Sequence, residues 1–186
     1  MSTDYWRVIN WHPRATSPAE NGHPLFVWPH QGSGRVDDPD GDCRVLYVGD
    51  TAQGAIAEAF GQFSRWTAPI LAVPPSAPAG TVKALVRYEG DPAVLDLDDP
   101  YELQDLGLRP SSVVSRQRPV TQQWARAIYD RGGHDGISWW SYYEPMWASF
   151  GLWEYAGLRV ADDPVPLSLT HPDVLEAAGV IKRLFS

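Results

Sequence analysis

The sequence predicts an α+β fold in one domain. The chain has 186 residues, the size of one domain with room for a real core. Stretches of period 2 and of period 3.6 are interspersed along it without the regular strand–helix alternation of a doubly wound sheet. There is no internal repeat and no low-complexity tract.

The elements follow in order. Residues 4–9 (DYWRVI) read as a short strand. Residues 10–43 are rich in Pro, Gly, His and Asp without a clean period, so they read as a long irregular segment with one short helix. A loop of that length in a domain is usually functional or mobile. Residues 44–48 form a second strand, ending at Gly49-Asp50. Asp50 suits a helix N-cap, with Gln53 at capping-box spacing. Ala52, Ala55, Ile56, Ala59 and Phe60 then make one apolar helical stripe that Gly61 stops. The proline-rich stretch 67–80 is a connector. Residues 81–89 alternate as a strand does, and 93–97 form another. A short helix starts at Asp98-Asp99-Pro100 and runs to Leu106, followed by a loop over 107–119. A helix over 121–129 carries Trp124, Ala127 and Ile128 on one face. After the turn at 131–136, strands are expected at 137–141 and 148–155, and a helical tail at 171–185.

Composition removes several function classes. Net charge is −8 with no run of basic residues, which disfavours direct nucleic-acid binding. The single cysteine, Cys43, allows no internal disulfide and no Cys-pair metal cluster. It reads as a half-buried thiol. The N-terminal residues lack a basic start and apolar core, and no apolar run is long enough for a membrane span. A soluble cytoplasmic protein without membrane contact is the expectation. Nine Trp and eight Tyr fill a core and can also line a pocket for planar ligands. Trp147 and Trp153 read as core, whereas Trp139 and Trp140 point to opposite faces of one strand.

Motifs for dinucleotide-binding turns, P-loops, zinc helices and nucleophile elbows are absent. His12, His23, His30, His134 and His171 make no helical metal pair, so no metal is expected. Asp37 to Asp42 lack the closing Glu of a calcium loop and read as a solvated acidic turn. Gly32-Ser33-Gly34-Arg35 lets backbone approach a phosphate, with Arg35 as a fork. Glu58 is the one carboxylate of its helix and flanks the apolar stripe. Its side chain leans towards Gly54, which leaves an open patch there. On spacing alone it is either a solvated glutamate or one wall of a ligand site.

An ordered set of short segments narrows this. Tyr5-Trp6-Arg7-Val8 comes first, then Gly34-Arg35, then Val45-Leu46-Tyr47-Val48-Gly49-Asp50 leading to Ala55-Ile56-Ala57-Glu58. Leu95-Asp96-Leu97, Thr121-Gln122-Gln123-Trp124-Ala125 and the run from Gly133 to Ser141 (GHDGISWWS) follow. Over about residues 5–155 this order resembles the RES domain family, the toxin half of RES–Xre toxin–antitoxin pairs. Two departures stand out. Ser33-Gly34-Arg35-Val36 replaces the usual Gly-Gly-Arg-aromatic turn, and Tyr142 follows Ser141 where a basic or small residue is common. Ser138 competes with Ser141 for the family serine, and the spacing from Asp135-Gly136-Ile137 favours Ser141.

The resemblance implies one RES-like domain over residues 1–186. The fold would be similar to ADP-ribosyltransferases, with central mixed or antiparallel sheets and flanking helices. It implies a toxin that binds NAD+ in a cleft as substrate, needs no further cofactor, and breaks the nicotinamide–ribose bond with water or phosphate. Glu58, Arg7 and Ser141 would be catalytic; Arg35 and Tyr47 would bind the dinucleotide. A cognate Xre-like antitoxin would block the cleft, and a homo-oligomer is left open. Two alternatives share the resemblance: an ADP-ribosyltransferase acting on a macromolecule, and a non-catalytic nucleotide-binding module.

Overall fold

Nine consecutive residues of alternating character make β1 (Thr3–Trp11), which pairs antiparallel along its whole length with β4 (Val82–Gly90). The computed structural model describes residues 3–185; residues 1, 2 and 186 of the expected domain lie outside the described residues. The other strands are β2 (Val45–Gly49), β3 (Arg65–Trp66), β5 (Val94–Asp96), β6 (Gly136–Trp140), β7 (Ala148–Trp153), β8 (Arg159–Val160), β9 (Val165–Pro166) and β10 (Leu184–Phe185). Eight of them form one mixed sheet in the order β5-β6-β7-β2-β1-β4-β8, with β9 on β4. Within it β5–β6 is the parallel pair. The helices are α1 (Ala52–Phe60), α2 (Pro100–Asp105), α3 (Pro110–Val113), α4 (Arg118–Arg131) and α5 (Pro172–Val180). The architecture is α+β, as expected.

One topological detail positions the site. β2 pairs fully with β7 from Val45 to Gly49. β1 and β2 share a single register pair, Trp6↔Gly49. The sheet therefore parts between β1 and β2, and α1 crosses near the gap. α1 packs on α5 through Ala55, Ile56 and Phe60 against Val174, Ala177 and Ala178. Small side chains on both helices let their axes come close. A second core cluster, on the other side, joins Val45, Leu97, Val113, Trp124, Ile128 and Ile137.

Several local expectations change. Thr51, not Asp50, caps α1: its hydroxyl accepts from Gly54 N at 3.0 Å. Gln53 donates instead to Asp173 and Glu176 of α5. Gly54 leaves no open patch, because a Cβ there would sit 2.9 Å from Thr51 Oγ1 and 3.4 Å from Trp147 Cβ. Residues 12–44 contain turns and bends but no helix. The expected loop at 107–119 includes α3, and the start of α4 lies there too, with Pro119 in its first turn. The C-terminal helix stops at Val180, and Leu184–Phe185 pair in parallel with β3. Trp147 and Trp153 are partly buried and pack against core clusters. No helix among the described residues is long and apolar enough to cross a membrane.

Candidate active site

A cavity of about 280 Å³ opens where β1 and β2 part. Its wall includes Arg7 from β1, Tyr47 from β2, Glu58 from α1, Trp139 from β6, and Ser149 and Phe150 from β7. Ala59, placed in the apolar stripe by spacing, packs against the core and also lines this cavity.

Glu58 is held from one side. Ser141 Oγ donates to Glu58 Oε1 at 2.6 Å, and Ser149 Oγ approaches the same oxygen at 3.4 Å. The first distance is that of a charge-assisted hydrogen bond. Among the described residues no protein group hydrogen-bonds Oε2, which leaves that oxygen for a ligand. Ser141 is 2 % exposed and also accepts from Tyr143 N at 3.2 Å, so its hydroxyl direction is set. Ser138 donates instead to Asp96 at 3.0 Å, so of the two serines it is Ser141 that reaches Glu58.

Arg7 lines the cavity with no carboxylate partner among the described residues. Its Nη1 donates to Phe26 O at 3.3 Å. The neighbouring Tyr88 hydroxyl, pushed up to about 12 chiefly by burial and eased slightly by Arg7, stays neutral and donates to Pro24 O. Tyr47 presents only its ring, edge-on to Trp139 with centroids 6.5 Å apart. Its hydroxyl is committed: it donates to Asp37 Oδ1 at 2.6 Å and accepts from Val36 N at 3.1 Å. Burial first, and Asp37 next, push its pKa up.

Arg35 stands outside the cavity wall. Its Nη1 donates to Val113 O at 2.6 Å and to Ser115 O at 3.0 Å, tying the loop to the end of α3. Burial and then Arg118 lower its pKa, while Glu58 and Tyr47 raise it, so it still lies within electrostatic reach of the glutamate. The Gly32–Gly34 turn is not a phosphate cradle. Its N–H groups at Gly32 and Gly34 already donate to Asp37 Oδ2, at 2.8 and 2.6 Å. Its carbonyls accept from Gln122 and Arg118 of α4. Gly34 is required because any Cβ would meet Asp37 Oδ1 and the Tyr47 hydroxyl.

The acidic turn is only half solvated: Asp40 and Asp42 are exposed, but Asp37 and Asp38 are structural. Asp37 and Asp38 are each 4 % exposed. Asp38 accepts from the backbone of Asp40, Asp42 and Cys43 and pairs with Arg126 at 3.2 Å. Among the described residues no group of three His, Cys, Asp or Glu side chains is placed to hold a metal ion. Cys43 is buried, and burial with Asp38 nearby pushes its thiol up to about 11, so it is no nucleophile at neutral pH.

Ser149 is the residue that spacing missed. It looks like any small residue in an apolar strand, and only the registers Gly49↔Ser149 and Trp139↔Ser149 bring it to the glutamate.

Comparison with known proteins bears on the fold and the family. Curated proteins yield no match. Among solved structures the chain is similar to one described as the crystal structure of the M. tuberculosis MbcT-MbcA toxin-antitoxin complex. The TM-score is 0.60 at 17 % identity, covering 98 % of this chain and 90 % of that one, a likeness of fold. The family described as RES domain matches residues 4–174, nearly the whole chain. The chain therefore belongs to the RES domain family.

Proposed function

We propose that this chain is the toxin of a toxin–antitoxin pair and that it destroys NAD+ at the nicotinamide–ribose bond. The observation that carries the reading is Glu58: one carboxylate oxygen pinned by Ser141, the other free, in a cavity shared with Arg7 and the aromatic residues Trp6, Tyr47, Trp139 and Phe150. Family membership and the similar toxin–antitoxin structure support the toxin role and a protein antitoxin as partner; on this reading the antitoxin covers the cavity. On this reading the chain acts in the cytoplasm, where its substrate is.

Nicotinamide in NAD+ is a cationic leaving group and needs no acid. Its C–N bond to ribose breaks, the electron pair stays on the ring nitrogen, and positive charge spreads over the ribose carbon and ring oxygen. A carboxylate beside that charge lowers the barrier, as in glycoside cleavage. Glu58 Oε2 faces the sugar hydroxyls or the incoming nucleophile, whose proton it accepts when the nucleophile is water. Arg7 supplies positive charge for the diphosphate, with Arg35 behind it. Tyr47 and Trp139 supply apolar ring surface for the nicotinamide. Trp139 enters the site on this reading, whereas the Tyr47 hydroxyl leaves it.

The test is direct. Purified protein is incubated with NAD+, with and without phosphate, and free nicotinamide is followed. Release in either condition is expected. A folded protein that releases none defeats the proposal. Radiolabel from NAD+ appearing on a protein or nucleic acid would point instead to transfer onto a macromolecule.

A further inference from the structure

Glu58 stands in the last turn of α1, three residues before the C-cap Gly61. The helix has only nine residues and no basic side chain in that turn. Helix ends leave carbonyls unpaired and fray, and a helix this short holds only through tertiary contacts. The carboxylate assigned to the chemistry therefore sits on the part of α1 that most needs an outside hold.

That hold comes from a residue 122 positions away. Arg183 Nε and Nη2 both donate to Gly61 O, at 3.1 and 2.6 Å, and Nη1 donates to Ile181 O at 3.0 Å. A cation on a terminal carbonyl satisfies it and offsets the negative end of the helix dipole. Among the described residues Arg183 has no carboxylate partner, so its guanidinium is committed to α1. The backbone before it is strained: Lys182 has a φ of 57°, a left-handed conformation disfavoured for a residue with a Cβ. Arg183 N then donates to Ala178 O at 2.8 Å, which closes the end of α5 and turns the chain towards α1.

Gly61 is also held on a second side. A Cβ there would lie 2.5 Å from Cε1 and Cζ of Tyr143, so glycine is what lets that ring rest on the helix end. Tyr143 N donates to Ser141 Oγ at 3.2 Å, and Ser141 Oγ donates to Glu58 Oε1 at 2.6 Å. The contacts close a ring. Glu58 leads along the helix to Gly61, Gly61 packs on Tyr143, and Tyr143 returns through Ser141 to Glu58. Burial raises the Tyr143 pKa, Glu58 raises it further and Arg183 lowers it, so both charges lie within electrostatic reach of its hydroxyl.

We propose that Arg183 is a positioning residue for Glu58, holding the last turn of α1 so that Oε1 meets Ser141 and Oε2 faces the cavity. The inference rests on Glu58 being the carboxylate that serves bond cleavage. Arg183 lies beyond residues 4–174 of the family match and outside the cavity wall, so it acts through α1 alone. Misplacing a reacting group by about 1 Å costs on the order of a hundredfold in rate. Arg7 and the aromatic rings still bind substrate, so the loss falls on kcat and not on KM.

The experiment is Arg183→Ala in the full chain, read in two ways. Hydrogen exchange followed by mass spectrometry is independent of turnover. Exchange should rise over residues 57–61 and stay unchanged in β1 and β7. Nicotinamide release per folded protein should show kcat down about tenfold with KM within about twofold. Arg183→Lys, which keeps the charge, should recover part of both effects. Arg65→Ala, which removes the same charge from neighbouring β3, should produce neither. In a Glu58→Gln background Arg183→Ala should cost little more, whereas a merely structural arginine costs the same factor there. Should Arg183→Ala fold poorly, Arg183→Gln keeps an amide donor and carries the same test. Unchanged exchange over residues 57–61, unchanged kcat, or an undiminished loss in the Glu58→Gln background overturns the proposal. A folded wild type that releases no nicotinamide defeats the proposed activity instead, and exchange alone then decides whether Arg183 holds α1.

Discussion

Replacing Ser141 by alanine removes the 2.6 Å hydrogen bond to Glu58 Oε1 and leaves the 3.4 Å approach of Ser149. A hydrogen bond to a charged group contributes about 1.5–3 kcal/mol. Glu58 is an exposed residue, so solvent screening puts the value near the lower end, about 1.5 kcal/mol. That corresponds to roughly tenfold in kcat/KM if the bond is needed in the transition state. Ser149 lies beyond the ordinary O–H···O range, and Ser149→Ala should cost about twofold at most. The two serines share one oxygen, so their effects are coupled. In Ser141→Ala the Ser149 hydroxyl can move onto Oε1, and the double variant should lose more than the product of the single losses. The assay is the initial rate of nicotinamide release at subsaturating NAD+, with thermal melts to confirm equal folded fractions. Tyr143 N also loses its acceptor, so a fall in Tm of a few degrees is expected alongside. Activity of Ser141→Ala within twofold of wild type, or a larger loss in Ser149→Ala, would refute the pinning of Glu58.

Three further outcomes test the surrounding structure. Gly34→Ala forces a methyl into Asp37 Oδ1 and the Tyr47 hydroxyl, whereas Gly32→Ala meets nothing within 4 Å; calorimetry should show a loss of about 1–3 kcal/mol for the first and near-neutrality for the second. Cys43, with its thiol pushed up to about 11, should resist iodoacetamide at pH 7.5 in the native chain and react quickly once unfolded, as mass spectrometry would show. Burial works against the Asp38 carboxylate, but three backbone N–H groups and Arg126 outweigh it and hold its pKa below the usual value. A depressed folded pKa means that the stabilisation is complete above the unfolded value near pH 3.9 and fades as pH falls through the folded one. Denaturant midpoints should therefore drop below about pH 4, and Asp38→Asn should flatten that part of the profile by lowering the neutral-pH end.

The strands at the site were legible because β1 and β2 carry clear local patterns, and α1 carries a stripe bounded by Gly61. The order of short segments, which no single spacing supports, singled out Glu58 and Arg7, and the structure brings both to one cavity. What escaped was long-range. Gln31 stands in for a strand partner of Val45, through bonds of 2.8 and 2.7 Å that its surroundings in sequence do not announce. The Thr121-Gln122 segment earns its place by holding the carbonyls of Gly32 and Gly34, 90 and 88 residues away. Asp135 ties β6 to β5 by accepting from Ala93 N. Gly34 and Gly54 looked like space for a ligand or a gap beside one, yet both are positions where protein atoms press close. A glycine signals close approach without saying what approaches, and the partner is set by tertiary packing.

One comparison bears on the central claim more directly than any other: nicotinamide release by wild type and by Glu58→Gln at equal folded fraction. The amide keeps the shape and can still bond to Ser141, but it removes the charge. Wild-type turnover with at least a hundredfold loss in Glu58→Gln is expected, the scale of a principal electrostatic group in an active site. Equal release by the two proteins would contradict a role for the Glu58 carboxylate in breaking the bond.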